Sequence, residues 1–362
     1  MSDVKTPSGF EAGLSGASQT VAEFQEPDKG ALDKLQDWLH RTPSAVPMMV
    51  LVLAIVVFGL LNGNFFKAST LSVILQQIAV VGILGCAQSV VILTAGIDLS
   101  VGAMAVFCSV LMGQFSFRYG IPAELSIILG LACGTLMGAG NGFLVSKMKL
   151  PPFIVTLGTW QIILSINYIF SANETIRSSA ISEHAPALRF WGNAVTFFGD
   201  GSPRSGVSVL FAVFLLIALV AIMAYVLKHT AWGRHVYAIG DDPEAAELSG
   251  VQTTKTLIQV YALAGFFCAI AGWVMIGRFG SVSPSASTGV LGNIQSITAV
   301  VIGGISLFGG RGSIVGMFLG ALIVGVFEMG LKMVGTDPQW TFLLIGVLII
   351  SAVAVDQWIR KA

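Results

Sequence analysis

Charge is what this sequence has least of. Only 10% of its 362 residues are Asp, Glu, Lys or Arg, and the 19 basic and 19 acidic side chains cancel. Soluble domains carry about 25% charged residues, so the deficit excludes a water-soluble globular domain. The lack of a basic excess excludes nucleic acid as a partner. Histidine is as scarce: His40, His184, His229 and His235 are scattered and form no cluster. The four cysteines, Cys86, Cys108, Cys133 and Cys268, all lie within apolar runs and lack metal-ligand spacing. They read as small buried hydrophobes, and no metal or cofactor is expected. Nowhere is there a Gly-x-x-x-x-Gly-Lys-Ser/Thr loop, so the chain has no means of cradling ATP phosphates. Neither H-E-x-x-H nor G-x-S-x-G occurs, and a hydrolase is excluded with them.

What is abundant is apolar sequence: 55% of residues are hydrophobic and the mean hydropathy is +0.84. Runs of this length point to membrane-spanning helices. The expected fold is an all-α polytopic membrane protein with about ten spans, near 45–62, 70–94, 101–117, 122–146, 153–170, 207–227, 256–277, 293–309, 313–334 and 339–357. The stretch 82–102 reads either as one broken helix or as the junction of two. Residues 1–44 form a polar cytoplasmic tail without a signal peptide, disordered to about Pro27, with a short amphipathic helix around Leu32, Leu35 and Trp38. The membrane domain runs over 45–357, and 358–362 form a cytoplasmic tail. With the N-terminus inside, 12 Lys and Arg fall on the cytoplasmic side and 7 outside, in the sense of the positive-inside rule. The long polar segment 171–206 then becomes the main external structure.

An internal repeat is visible. Gly82–Gly102 (GILGCAQSVVILTAGIDLSVG) matches Gly289–Gly310 (GVLGNIQSITAVVIGGISLFGG) at an offset of about 207 residues, so 45–147 corresponds to 254–357. The expected topology runs both copies the same way through the membrane; an inverted relation requires a different span count.

Few polar groups interrupt the spans. Asp98, in Gly96-Ile97-Asp98-Leu99-Ser100, either caps the helix that follows or contacts a solute. Glu328, late in its span, is either a snorkelling acid or a cavity-lining one. Ser100, Asn141, Asn293 and Gln295, with Gln76, Gln77, Gln88, Thr156, Thr159 and Gln161, bond between helices or to a neutral hydroxylated solute. Trp160, Phe153 and Phe170 are able to stack on a sugar or to face lipid. Pro151-Pro152 fixes a sharp entry into a span.

One polar island stands in the second half, Trp232–Val251 (WGRHVYAIGDDPEAAELSGV). Asp242 is placed as N-cap, Pro243 at the first helical position, Glu244 in the first turn and Gly250 at the stop. That leaves about two turns of helix, too short to stand alone in water. It reads as a loop helix resting on its own protein or lipid, or as a docking element for a cytoplasmic partner.

Four segments together, LTAGIDLSVGA, LPPFIVTLGT, WGRHVYAIGDDPEAAELSGV and AVVIGGISLFGGRGSIVG, resemble the membrane permease of monosaccharide ABC importers, the ribose, xylose, galactose and fructose branch, more distantly related to branched-chain amino-acid permeases. The resemblance covers residue 45 to the end. It implies a bacterial inner-membrane homodimer working with two cytoplasmic ATPase subunits and a periplasmic sugar-binding protein. It also implies a coupling helix on Asp241, Asp242, Pro243, Glu244, Ala245, Ala246 and Gly250, and a translocation pathway near Asp98, Ser100, Asn141, Asn293 and Gln295. Family members often carry Glu-Leu-Asp where this chain has Asn293-Ile294-Gln295, which turns the expectation toward a neutral hexose such as fructose, with ribose next. The rival reading is an ion-coupled secondary transporter using Asp98 and Glu328.

Overall fold

The computed structural model describes residues 45–199 and 206–360. The sequence reading of 1–44 lies outside them. In chain order the helices are α1 Ala45–Leu61, α2 Ala68–Leu93, α3 Val101–Phe117, α4 Ala123–Ser146, α5 Pro152–Ser171, α6 Ser178–His184, α7 Phe211–His229, α8 Ala231–Asp241, α9 Pro243–Leu248, α10 Thr253–Phe279, α11 Ala286–Ile302, α12 Ile314–Val334 and α13 Pro338–Arg360. Two short strands, β1 Ala194–Phe197 and β2 Val207–Leu210, pair antiparallel. Six helices (α2, α4, α5, α7, α10 and α12) are long and apolar enough to cross a membrane, and shorter apolar stretches occur in α1, α3, α11 and α13. The all-α membrane architecture is therefore as the sequence predicts.

Burial sorts the helices into layers. In α2 and α10, 78% of the most apolar window is buried, against 22% in α5 and 33% in α4 and α7. Helices apolar all round sit at the centre, and the outer ones present Leu, Ile and Phe to the lipid. The most extensive pairing is α4 on α10. Gly134, Gly138 and Gly142 repeat every four residues along one face of α4, and a Cβ on Gly138 would stand 2.1 Å from the Tyr261 carbonyl. Small residues allow this approach in a bilayer. Gly138→Ala is expected to lower the melting temperature of the purified protein by several degrees, for a cost of about 1–3 kcal/mol. Gly140→Ala, whose added methyl meets nothing within 4 Å, is the control; equal melting of the two variants refutes this packing.

The two matching segments each run from a helix through a break into another helix, α2 into α3 and α11 into α12. Both copies also end that first helix in the same way. Ala95 has φ 59°, and the amides of Ala95 and Gly96 donate to Ile92 O and Val91 O at 2.9 and 3.1 Å. Gly304 has φ 82°, and the amides of Gly304 and Ile305 donate to Val301 O and Val300 O at 3.0 and 3.1 Å. These are two copies of one left-handed helix stop. The stretch 82–102 is thus a junction: α2 ends, seven residues break the helix, and α3 begins.

Three boundaries differ from the sequence reading. The span expected at 293–309 begins seven residues earlier, at Ala286, where Ser285 Oγ accepts the Thr288 amide at 3.4 Å. Its expected end falls in a loop, because Gly304, Gly309, Gly310 and Gly312 all have positive φ, incompatible with a right-handed helix. The span expected from 207 begins at Phe211, since Val207–Leu210 pair with β1. The last helix continues to Arg360, past the expected boundary at 357. Outside the bundle, Ile176 and Val282 exchange backbone hydrogen bonds at 2.9 and 3.1 Å, pinning the segment after α5 to the one before α11.

Candidate functional site

The polar island folds into two helices where the sequence predicts one. α8 follows Thr230, whose Oγ1 accepts the Gly233 amide at 3.1 Å, and it buries Gly233, Val236, Ile239 and Gly240 on one face. α9 is capped as expected. Asp242 Oδ1 accepts the amides of Glu244 and Ala245 at 2.9 and 3.0 Å, and Pro243 opens the helix. Gly250, at φ 86°, lets the Val251 amide reach Ala246 O at 3.0 Å. Of the expected coupling residues, Ala246 is buried against the protein; Asp241, Asp242, Pro243, Glu244, Ala245 and Gly250 are exposed. Leu248, which sequence reasoning passed over, is 90% exposed. An apolar side chain held bare on a short, doubly capped helix is a contact without an intramolecular partner.

α8 seats this helix on both repeat-related breaks at once. The Gly310 amide donates to Leu93 O at 3.0 Å, joining the second break to the end of α2. Gly240 lies against that hydrogen bond: a Cβ there would stand 1.9 Å from Leu93 O and 2.5 Å from Gly310 N. Tyr237 Oη donates to Gly312 O at 2.9 Å, and burial pushes its phenol above the usual range, so it remains a neutral donor. Trp232 Nε1 donates to Gln259 Oε1 at 3.1 Å, tying α8 to α10. Tyr237 and Gly240 were not singled out from sequence. The visible signal was the apolar spacing 233, 236, 239, 240 behind Thr230.

Segment 94–100 climbs back into the bundle. Leu99 O accepts Asn293 Nδ2 at 2.8 Å, and Asn293 lies about 13 Å up α11 from Ile302 at 1.5 Å per residue. Thr156 Oγ1 donates to Ile97 O at 3.1 Å, and Asn141 Nδ2 donates to Ser100 Oγ at 3.0 Å. Asp98 Oδ1 accepts the Ser100 amide at 2.8 Å and the Ser100 hydroxyl at 2.5 Å. Asp98, Ser100 and Asn141 are each at most 1% exposed. The structure therefore brings Asp98, Ser100, Asn141 and Asn293 together, and Asp98 holds the entry of α3. Gln295 is set apart from them: its Nε2 donates to Glu328 Oε2 at 2.9 Å, between α11 and α12. Both amides of Asn293-Ile294-Gln295 donate to oxygens, a task an ionised Glu or Asp cannot perform. The buried Oδ1 atoms of Asn141 and Asn293 and the Tyr261 hydroxyl have no hydrogen-bond partner.

One cavity touches this segment, and another lies farther out. The first, of about 200 Å³, lies under α9 and is lined by Thr94, Gly96, Tyr261, Glu244, Glu247 and Thr253 among others. The other, of about 350 Å³, lies at the outer end of α5 and carries the hydroxyls of Tyr168, Thr175, Ser283, Ser285 and Ser287. No group of three or more His, Cys, Asp or Glu among the described residues is placed to hold a metal ion.

Residues 70–353 match the family described as branched-chain amino acid transport system / permease component. The fructose import permease of Rhizobium meliloti is 60% identical over 97% of this chain and 96% of its own length. The ribose import permease of Bacillus subtilis is 33% identical, covering 86% of this chain and 92% of its own. For the galactose/methyl galactoside import permease of Escherichia coli the values are 32%, 85% and 92%. No solved structure matches the chain.

Proposed function

Because the chain belongs to the branched-chain amino acid transport system permease family, we propose that it carries a neutral monosaccharide, fructose first, into the cytoplasm, driven by ATP hydrolysis in a partner and working as a dimer of two copies. Permease components of this family are not enzymes; the ATPase is a separate subunit, and a periplasmic sugar-binding protein delivers the solute. The chain is a multi-pass protein of the bacterial inner membrane. The observation that carries the choice of fructose is the 60% identity to a fructose permease along nearly the whole of both chains.

The geometry supports an energy input at α9. This helix is capped at both ends and exposes Glu244, Ala245 and Leu248 to a partner. Behind it, α8 rests on the two breaks, so a push on α9 reaches Leu93 and Gly310 through Gly240. The ion-coupled alternative fits less well. Asp98 is engaged with Ser100, and Glu328 with Gln295, in separate places.

The test is uptake of labelled fructose by vesicles holding the permease with its ATPase and binding protein. Uptake that requires ATP and the binding protein, persists with a protonophore, and exceeds that of ribose and galactose is the expected result. Uptake by the permease alone, collapsed by protonophore, would establish the ion-coupled reading instead.

A further inference from the structure

The hydroxyl-lined outer cavity leads somewhere. Its rim is polar and exposed: Asn173, Thr175, Ser283 and Ser287. Its floor, at Ser285 and Ala286, is shared with a narrow throat between α3, α5 and α11, lined further by Ala103, Trp160, Asn167 and Gly289. Gly289 is one helical turn from Asn293, which holds Leu99 of the climbing segment. On the far side of that segment, Gly96 and Tyr261 line the cavity under α9. The climbing segment thus touches the cavity under α9 through Thr94 and Gly96, and is tied to the helix that lines the throat through Asn293.

Asn167 marks the throat as more than a packing gap. It is 2% exposed, and its Nδ2 donates to Pro284 O at 3.3 Å while its Oδ1 has no partner. A buried amide oxygen left unmet costs about 1–3 kcal/mol, and Asn167 is one of the residues around the throat. Trp160, on the same helix, offers an aromatic face. No acidic or basic side chain lines either the vestibule or the throat. Such a set suits an uncharged polyol: in the vestibule its hydroxyls bond to the Ser and Thr groups and an anion or cation finds no counter-charge, while the throat beyond, about 10 Å³, has room for a water-sized group and must widen for a sugar to reach Trp160 and Asn167. At about 350 Å³ the vestibule lies within the range of small-molecule sites, roughly 300–1,000 Å³.

We propose that this vestibule and throat form the external solute site of the permease, that Asn167 Oδ1 accepts a hydroxyl from a monosaccharide as it enters, and that segment 97–100 is the plug beneath it. The site rests on the sugar-permease reading and names where the sugar first meets this chain. The buried network of Asp98, Ser100 and Asn141 then holds the plug, and contact with the solute falls to α5 and the start of α11.

The test uses the complete transporter, with its ATPase and binding protein, in proteoliposomes supplied with labelled D-fructose. Asn167→Leu keeps the side-chain volume and removes both polar atoms. Uptake is expected to fall about tenfold or more, the worth of one buried hydrogen bond or slightly more, while stimulation of ATP hydrolysis by loaded binding protein persists. A second variant does not depend on repacking the throat. Ser287→Cys places a thiol at the rim, whereas Cys86, Cys108 and Cys268 are buried and Cys133 half-buried. A bulky membrane-impermeant thiol reagent is expected to block uptake in Ser287→Cys, leave wild type active, and spare the ATPase stimulation. Wild-type rates in both Asn167→Leu and labelled Ser287→Cys would overturn the site. Loss of uptake and stimulation together on labelling would assign this face to docking of the binding protein and overturn it equally. Wild-type proteoliposomes that move no fructose, ribose or galactose would instead overturn the sugar-permease reading on which the site rests.

Discussion

Gly240→Ala is expected to abolish sugar uptake almost completely. The added methyl carbon would overlap Leu93 O at 1.9 Å and Gly310 N at 2.5 Å, both backbone atoms that cannot swing aside. The chain must either lift α8 off the bundle or separate the two breaks. Each route costs about 1–3 kcal/mol or more and removes the path by which α9 moves segment 94–100. A loss of about 10–100-fold in uptake follows from that cost alone. Two measurements check it: uptake in proteoliposomes, and hydrogen exchange at the Gly310 amide, which should accelerate as its bond to Leu93 O opens. Uptake within twofold of wild type would show that α8 is mere padding between the breaks.

The second large effect concerns α9. Ala245→Trp, Glu244→Lys and Leu248→Asp are each expected to abolish ATP-driven uptake and to weaken co-purification of the ATPase subunits. Membrane insertion and melting temperature should hold, because all three positions are exposed and exposed substitutions usually move stability by no more than about 0.5 kcal/mol. Leu248 is the sharpest of the three. At 90% exposure it has no packing within the chain to lose, so any loss of function is a lost external contact. Ala246, being buried, cannot separate the two causes and is a poor choice of variant. Full transport in all three variants would remove the docking role from this helix.

Much of this was legible in the sequence because it rests on local rules. Asp242, Pro243 and Gly250 announce the two ends of α9 by chemistry that acts within a few residues, and the structure returns those caps. The break near Gly96 was visible for the same reason. What was not legible depends on approach between distant segments. Gly240 looks like any helical glycine until Leu93 and Gly310 close on it from elsewhere in the chain. α11 was displaced by seven residues because hydropathy continues through Gly303–Phe308 while positive φ forbids the helix there. Asn167 drew no notice among so many polar interruptions; like Asn141 it is buried, donates through Nδ2 and leaves Oδ1 unmet, and only its place beside the throat distinguishes it. Asp98 drew the most notice, as a lone acid among apolar residues, and it turned out to organise the backbone beside it.

The bond between Leu93 and Gly310 also sets a schedule. Leu93 leaves the ribosome about 200 residues before Gly310, so at roughly 5–20 residues per second its carbonyl waits some tens of seconds for its donor. Until then α2 ends in an unmet acceptor, and segment 94–100 lacks Asn293, which holds Leu99. The first half of the chain therefore completes its interior, at Leu93 and Leu99, only when the second half is made. A fragment ending near residue 250 would insert its helices yet hold 94–100 only through Thr156 and Asn141, and so offer quality-control proteases a segment less firmly tied than in the finished protein.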